Sequence, residues 1–277
     1  LDIFHSIVQD FREMERYKQA LQFADKMLNL DKRNLRALRD KLEVYRLMGR
    51  WEDAANVLTE IQKATGRENP VELALYKVQE GKRIESEGED HEARIMYRKA
   101  LKIDSSCCAA MLYLGDSYDK ENRTEEAIEN WEQFGEMCPG LLYLVSNKLE
   151  QRLFDLGNFS EIERYYRRIL EQYPDTVEAS VGIASYYDKK GETEAAIRSL
   201  EDAIEKAPDS IRARVQLTKL YNKQKNNRAV DEQLKQLLEH HASRFSFRCT
   251  ECGYSTNEPR WLCPDCLQVN TFFDEHK

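Results

Sequence analysis

Four cysteines near the C-terminus, Cys249, Cys252, Cys263 and Cys266, are the residues whose type and spacing carry chemistry. They form two C-x-x-C pairs with ten residues between the pairs. In each pair the two intervening residues let both sulfurs grip an ion from one side. Four thiolates can then close one tetrahedral, all-sulfur cage, the soft ligand set that suits zinc or iron. Gly253 fits the tight turn after the first pair, since glycine takes positive φ cheaply, and Pro264 pre-sets φ in the second. Four protein ligands leave no open position for a substrate. The site therefore reads as structural or as a one-electron redox centre, and not as hydrolytic. His240 and His241 lie about eight residues upstream and are read as helix-end histidines favoured by the dipole rather than as ligands.

The remaining chemistry is sparse. No paired-carboxylate motif, G-x-S-x-G elbow, P-loop, G-x-G-x-x-G or H-E-x-x-H occurs, so a non-enzymatic protein is expected. The net charge of −8 argues against non-specific nucleic-acid binding. Around the cysteines, Arg244, Arg248, Arg260 and Lys277 are offset by Glu251, Glu258, Asp265, Asp274 and Glu275, so this segment lacks the basic face of a nucleic-acid-binding ribbon as well. Cys107, Cys108 and Cys138 fall in helical patterns and read as unpaired, buried filler, in keeping with a reducing compartment. No window reaches the ~20 apolar residues of a membrane span. The chain opens at Leu1 inside a helical pattern and is read as a fragment of a longer protein.

The elements that must carry the cysteines show a period of 34 residues. One copy runs Met111, Leu114-Gly115, Tyr118, Ala127, Trp131, Phe134 and Pro139. Others place Gly88, Ala93 and Tyr97, or Gly157, Ile162 and Tyr166, or Gly191, Ala196 and Leu200, at matching offsets. This resembles the tetratricopeptide (TPR) pattern, and the expected fold is all-α: about seven helical hairpins in a superhelix, followed by a small metal module. Repeats are placed at 1, 35, 74, 108, 143, 177 and 211, with a turn-rich insertion at Gly66–Pro70. Gly49, Gly88, Gly157 and Gly191 fall where the first helix of a hairpin must stop. The expected domains are 1–241 and 242–277.

A TPR superhelix presents its first helices along a concave groove suited to peptides or folded partners. The family's inward positions map to Arg36, Arg39, Arg46, Leu112, Asn147, Phe154, Val181, Arg212, Lys219 and Asn222, basic at both ends and more neutral between. The metal module carries Phe245, Phe247, Tyr254, Trp261, Leu262, Phe272 and Phe273, more aromatic surface than a ribbon of about thirty residues buries by itself. With hardly any linker at 240–243, the module is expected to dock on the last hairpins.

A TPR array closed by C-x-x-C-G and C-P-x-C resembles the lipopolysaccharide assembly protein B family. The matching residues are Phe247-Arg248-Cys249, Cys252-Gly253-Tyr254, Trp261, Cys263-Pro264 with Cys266, and Asn270-Thr271. The resemblance implies an adaptor held by one N-terminal transmembrane helix, upstream of this chain, on the cytoplasmic face of the bacterial inner membrane. It implies as partners a membrane-bound AAA protease, the deacetylase that commits material to lipid A, and other lipopolysaccharide assembly proteins. It also implies a rubredoxin-like metal module with one iron or zinc ion. Two residues or stretches depart from a true rubredoxin: the ten-residue loop between the pairs is short, and Leu267 replaces a glycine. A structural clip is favoured over independent electron transfer. A redox protein and a general TPR co-chaperone stand as the alternatives, the latter lowered because the groove positions lack the Lys/Asn carboxylate clamp.

The purified chain is expected to hold one metal ion per protomer, released by acid or chelator because thiolates must be deprotonated to bind. Elemental analysis checks this, and well under half an equivalent of any metal in a native preparation would refute it.

Overall fold

The computed structural model describes residues 2–240 and 247–274. The domain boundary at 241/242, the short linker and Phe245 lie outside the described residues. The chain divides into two compact units, residues 1–114 with 264–269, and residues 115–263 with 270–277.

The first unit is built from α1 (Asp2–Glu13), α2 (Tyr17–Leu30), α3 (Leu35–Leu47), α4 (Trp51–Thr65), α5 (Pro70–Ser86), α6 (Asp90–Ile103) and the start of α7 (Cys108–Lys120). Consecutive helices pack as hairpins, α1 on α2, α3 on α4 and α5 on α6. Helix starts are written in the side chains. Asn34 accepts from the Ala37 amide at 3.0 Å, and Asn69 accepts from the Glu72 amide, with Pro70 at the first helical position. The turn-rich insertion is thus the seam between two helices: Gly66 ends α4 in the left-handed conformation and Asn69 opens α5. The core runs through one cluster of Val8, Ala20, Ala24 and Val44 and another of Leu38, Leu42, Ala54, Leu58 and Tyr76.

The second unit continues with the rest of α7, α8 (Thr124–Met137), a 3-10 turn (Pro139–Leu144), α9 (Ser146–Asp155), α10 (Phe159–Gln172), α11 (Val177–Lys190), α12 (Thr193–Lys206), α13 (Ile211–Lys223) and α14 (Asn227–His240). The C-terminal segment follows with β1 (Phe247–Cys249), β2 (Ser255–Thr256) and β3 (Phe272–Asp274). All-α repeats with a small metal ribbon are therefore the architecture. Helices α3, α7, α11 and α13 begin at 35, 108, 177 and 211. Helix α5 begins at 70 and α9 at 146 instead of 74 and 143, because Asn69-Pro70 caps early and the 3-10 turn after Pro139 delays the next helix.

What brings paired helices together is a missing side chain opposite a large one. A Cβ on Gly81 would sit 2.5 Å from the Tyr97 ring, and one on Gly115 would sit 2.4 Å from Trp131. Ala93, Ala127 and Ala196 are fully buried at the same kind of contact. Reversal between the helices of a hairpin uses positive φ. Gly49, Gly88, Gly157 and Gly191 adopt it as expected, while Glu15, Asn122 and Lys225 adopt it at the equivalent turns without a glycine.

Cysteine use departs from expectation. Cys107 is buried and free, its thiol pushed up to about 11 by burial, but Cys108 and Cys138 are disulfide-bonded rather than unpaired.

Ala196→Leu should lower stability by ~1–3 kcal/mol, since added methylenes at a helix contact have nowhere to go. Denaturant unfolding checks this, and an unchanged midpoint would show that the α11–α12 hairpin tolerates separation.

Candidate metal centre and groove

The ribbon is a three-stranded antiparallel sheet in the order β2-β1-β3. Its central strand ends in the first cysteine. Phe247 pairs with Thr256 on one side and Asp274 on the other, and Cys249 pairs with Phe272. The chain turns back after Cys249: the Gly253 amide donates to the Cys249 carbonyl at 3.0 Å, and the Cys249 amide to the Tyr254 carbonyl at 2.9 Å. Gly253 has φ of 78°. In the second turn Asn270 donates to the Trp261 carbonyl at 2.8 Å, and Leu267 takes φ of 56° directly after Cys266. Both knuckles therefore take a positive φ directly after their second cysteine, with glycine in the first and a leucine under steric load in the second. Tyr254 and Phe272 meet edge to face, their ring centroids 6.3 Å apart.

The ligand atoms of Cys249, Cys252, Cys263 and Cys266 all lie within 4.8 Å of one another. Cys252 Sγ and Cys263 Sγ are 3.6 Å apart. A tetrahedron with metal–sulfur bonds of about 2.3 Å has edges of roughly 3.8 Å, close to the Cys252–Cys263 separation. Cys249 and Cys263 are buried, Cys266 half-buried and Cys252 exposed. Thr271 Oγ1 lies 3.1 Å from Cys249 Sγ, a partner that cysteine spacing alone could not disclose. The four cysteines form a metal-binding site, one that accepts either zinc or iron on ligand grounds. Within the first unit, Val269 of the second knuckle's loop packs against the cluster of Leu38, Leu42, Ala54 and Tyr76, far in sequence from the last hairpins on which docking is expected.

The ten groove positions separate into three kinds. Arg39, Asn147, Phe154, Lys219 and Asn222 are exposed, Phe154 at 56% with Phe159 edge-on at 4.9 Å. Arg36 and Arg212 are engaged: Arg36 pairs with Asp2 at 2.5 Å, and Arg212 pairs with Glu178 at 3.2 Å and lies 3.5 Å over the Tyr143 ring. Arg46 (9% exposed) and Leu112 (8%) are buried, and Val181 packs into the cluster of Ala184, Leu200 and Leu217.

Sequence reading missed why those charges are there. Opposite charges about one period apart join successive first helices: Asp116 to Lys148 (2.7 Å), Asp119 to Arg152 (2.5 Å) and Asp188 to Lys223 (2.7 Å). Buried Glu150 bridges inward as well, accepting from Tyr166 Oη at 2.8 Å and from Lys189 Nζ at 2.5 Å. The signal was available as complementary signs at 32 to 39 residues' separation. A family-position table does not show it.

Comparison with known proteins agrees with these parts. Residues 247–273 match the rubredoxin metal binding domain, and residues 109–140 and 151–211 match tetratricopeptide repeat models. Lipopolysaccharide assembly protein B of Haemophilus influenzae is 25% identical over 235 residues, covering 84% of this chain. The chain spans 59% of the length of that curated relative. Among solved structures, a tetratricopeptide repeat protein from Parabacteroides merdae is 18% identical, with a TM-score of 0.46 over 76% of this chain and 80% of that one. The C-terminal part of a TPR repeat-containing protein from Cytophaga hutchinsonii is 14% identical, with a TM-score of 0.47 over 87% of this chain and 96% of that one. Among the described residues no helix is long and apolar enough to cross a membrane.

Leu267→Gly should stabilise the metal-loaded ribbon by about 1 kcal/mol, because a β-carbon in the left-handed region costs ~1–2 kcal/mol. Slower zinc loss to a chelator is the expected reading, and unchanged or faster loss would show that the leucine side chain contributes more than its backbone costs.

Proposed function

We propose that this chain is the repeat and metal-ribbon part of a non-enzymatic adaptor that regulates lipopolysaccharide assembly. The observation that carries the reading is a relative named for lipopolysaccharide assembly, aligned over 84% of the chain, beside a C-terminal four-cysteine ribbon that matches the rubredoxin metal binding domain. Repeats supply faces for protein partners, and the ribbon's four thiolates hold a structural ion, zinc or iron. In this reading the adaptor works at the cytoplasmic face of the bacterial inner membrane, with its anchor outside this chain. It brings a membrane AAA protease to the lipid A deacetylase and so sets how much of that enzyme survives.

The exposed members of the groove set, Arg39, Asn147, Phe154, Lys219 and Asn222, are the positions that remain open to a partner. Arg36 and Arg212 would have to exchange an internal pair for an external one. Docking of the ribbon on the last hairpins is part of this proposal, and its support is the surplus of aromatic surface in the ribbon. One observation favours the electron-transfer alternative: Cys252 is exposed and would give electrons a route to an iron ion.

Depleting the protein in its own host should lengthen the deacetylase half-life severalfold, measured by immunoblot after translation is stopped. The wild-type gene should restore it, and Cys263→Ser with Cys266→Ser should not. An unchanged half-life on depletion would overturn the adaptor reading, and a reversible one-electron couple in the native iron-loaded protein would favour the alternative.

A further inference from the structure

A four-thiolate site holding a divalent ion carries a surplus of two negative charges, spread over the sulfurs. Where a sulfur is buried, that charge needs donors, because water cannot reach it. Cys249 is such a sulfur, 2% exposed. One neighbour is the Thr271 hydroxyl, which accepts from the Cys249 thiol at 3.1 Å; a metal-bound thiolate has no proton to give, so there the hydroxyl would be the donor. Thr271 is held there by its own backbone: its carbonyl accepts from the Thr250 amide at 2.8 Å, and the next residue, Phe272, pairs with Cys249 across the sheet. A β-branched side chain is also stiff about χ1, so the hydroxyl is placed with little freedom. The residue just before β3 therefore brings a donor to the first knuckle from twenty-two residues away in the chain.

We propose that Thr271 is a positioning residue of the metal centre: its hydroxyl donates to the Cys249 thiolate and sets how much negative charge that sulfur keeps. The inference rests on the four-thiolate reading and extends it beyond the ligands. Hydrogen bonds to ligand sulfurs weaken their donation to the metal, which raises the reduction potential of an iron centre and shields a zinc thiolate from protonation. The same bond ties the first knuckle to β3, so the hydroxyl influences both the charge at the ion and the closure of the sheet around it.

Two variants of the full chain separate these effects. Thr271→Val keeps shape and removes only the hydroxyl, whereas Thr271→Ser keeps the hydroxyl and removes the methyl. The zinc-loaded proteins are challenged with a chromophoric chelator, and the cobalt-substituted proteins are read by their sulfur-to-metal charge-transfer band. Thr271→Val should lose zinc about tenfold faster, the lower end of what supporting partners of metal ligands contribute. Its charge-transfer band should move to lower energy, because a thiolate with one hydrogen bond fewer is the stronger donor. Thr271→Ser should match the wild type in band position. A Val variant with wild-type release and an unshifted band would overturn the proposal, and so would a Ser variant that behaves like Val, since packing of the methyl would then be the cause. A wild-type chain that takes up neither zinc nor cobalt would overturn the four-thiolate reading itself, a failure distinct from an unshifted band in metal-loaded protein.

Discussion

Paired helices in the repeats approach closely where a residue with little or no side chain on one helix meets a ring on its partner. Gly81 faces Tyr97 and Gly115 faces Trp131, each with less room than one added carbon requires. Trp131 and Tyr97 are fully buried, and an aromatic ring buries some 150–250 Å², the largest hydrophobic contribution a residue makes. The ring needs the absent side chain opposite it. Helix propensity could form these helices in many arrangements; this fit allows the hairpin to close in one.

Once the hairpins are closed, their first helices come into register with one another, and that spacing decides what the charges do. Asp119 and Arg152 meet because their positions in successive repeats coincide. Surface pairs of this kind are worth about 0–1 kcal/mol each, too little to hold repeats together. Their effect is on recognition. A partner can exchange such a pair for one of its own at little cost, so the pairing only biases recognition toward exposed Arg39 and Lys219 without closing Arg36 or Arg212 to it. Glu150 differs because it is buried: it is held by Tyr166 and Lys189 together, and removing either would leave a carboxylate short of partners in a low-dielectric setting.

The repeat period and the four cysteines were legible because each rests on local rules. A glycine at a helix end and C-x-x-C spacing need no knowledge of distant chain. The departures share the opposite property. Lys225 and Leu267 take positive φ at turns where glycine is the cheaper residue, so the turn is set by the elements on either side of it and not by the residue's own preference. Arg46 falls at an inward family position yet is buried, and its Nη1 reaches only to 4.0 Å from Glu72 in a different hairpin. The disulfide state of Cys108 and Cys138 depends on which residues folding brings near, and spacing in a helical pattern carries no such information. Val269 illustrates the limit for the ribbon: nothing in its sequence neighbourhood names Leu38 or Tyr76 as its company.

The ribbon's size explains why its metal matters structurally. A segment of about thirty residues buries too small a fraction of its surface to be stable alone, and its three strands are two or three residues long. Metal binding supplies folding free energy directly in such modules, so the two knuckles and the sheet form together or not at all. The strands return the dependence, since β1 ends in Cys249 and β3 carries Thr271 to it. The ion holds the sheet, and the sheet sets the hydrogen bonding around one of the ion's ligands. A change in the ion's charge or identity would consequently act on the pairing of β1 with β3 as well as on the four cysteines.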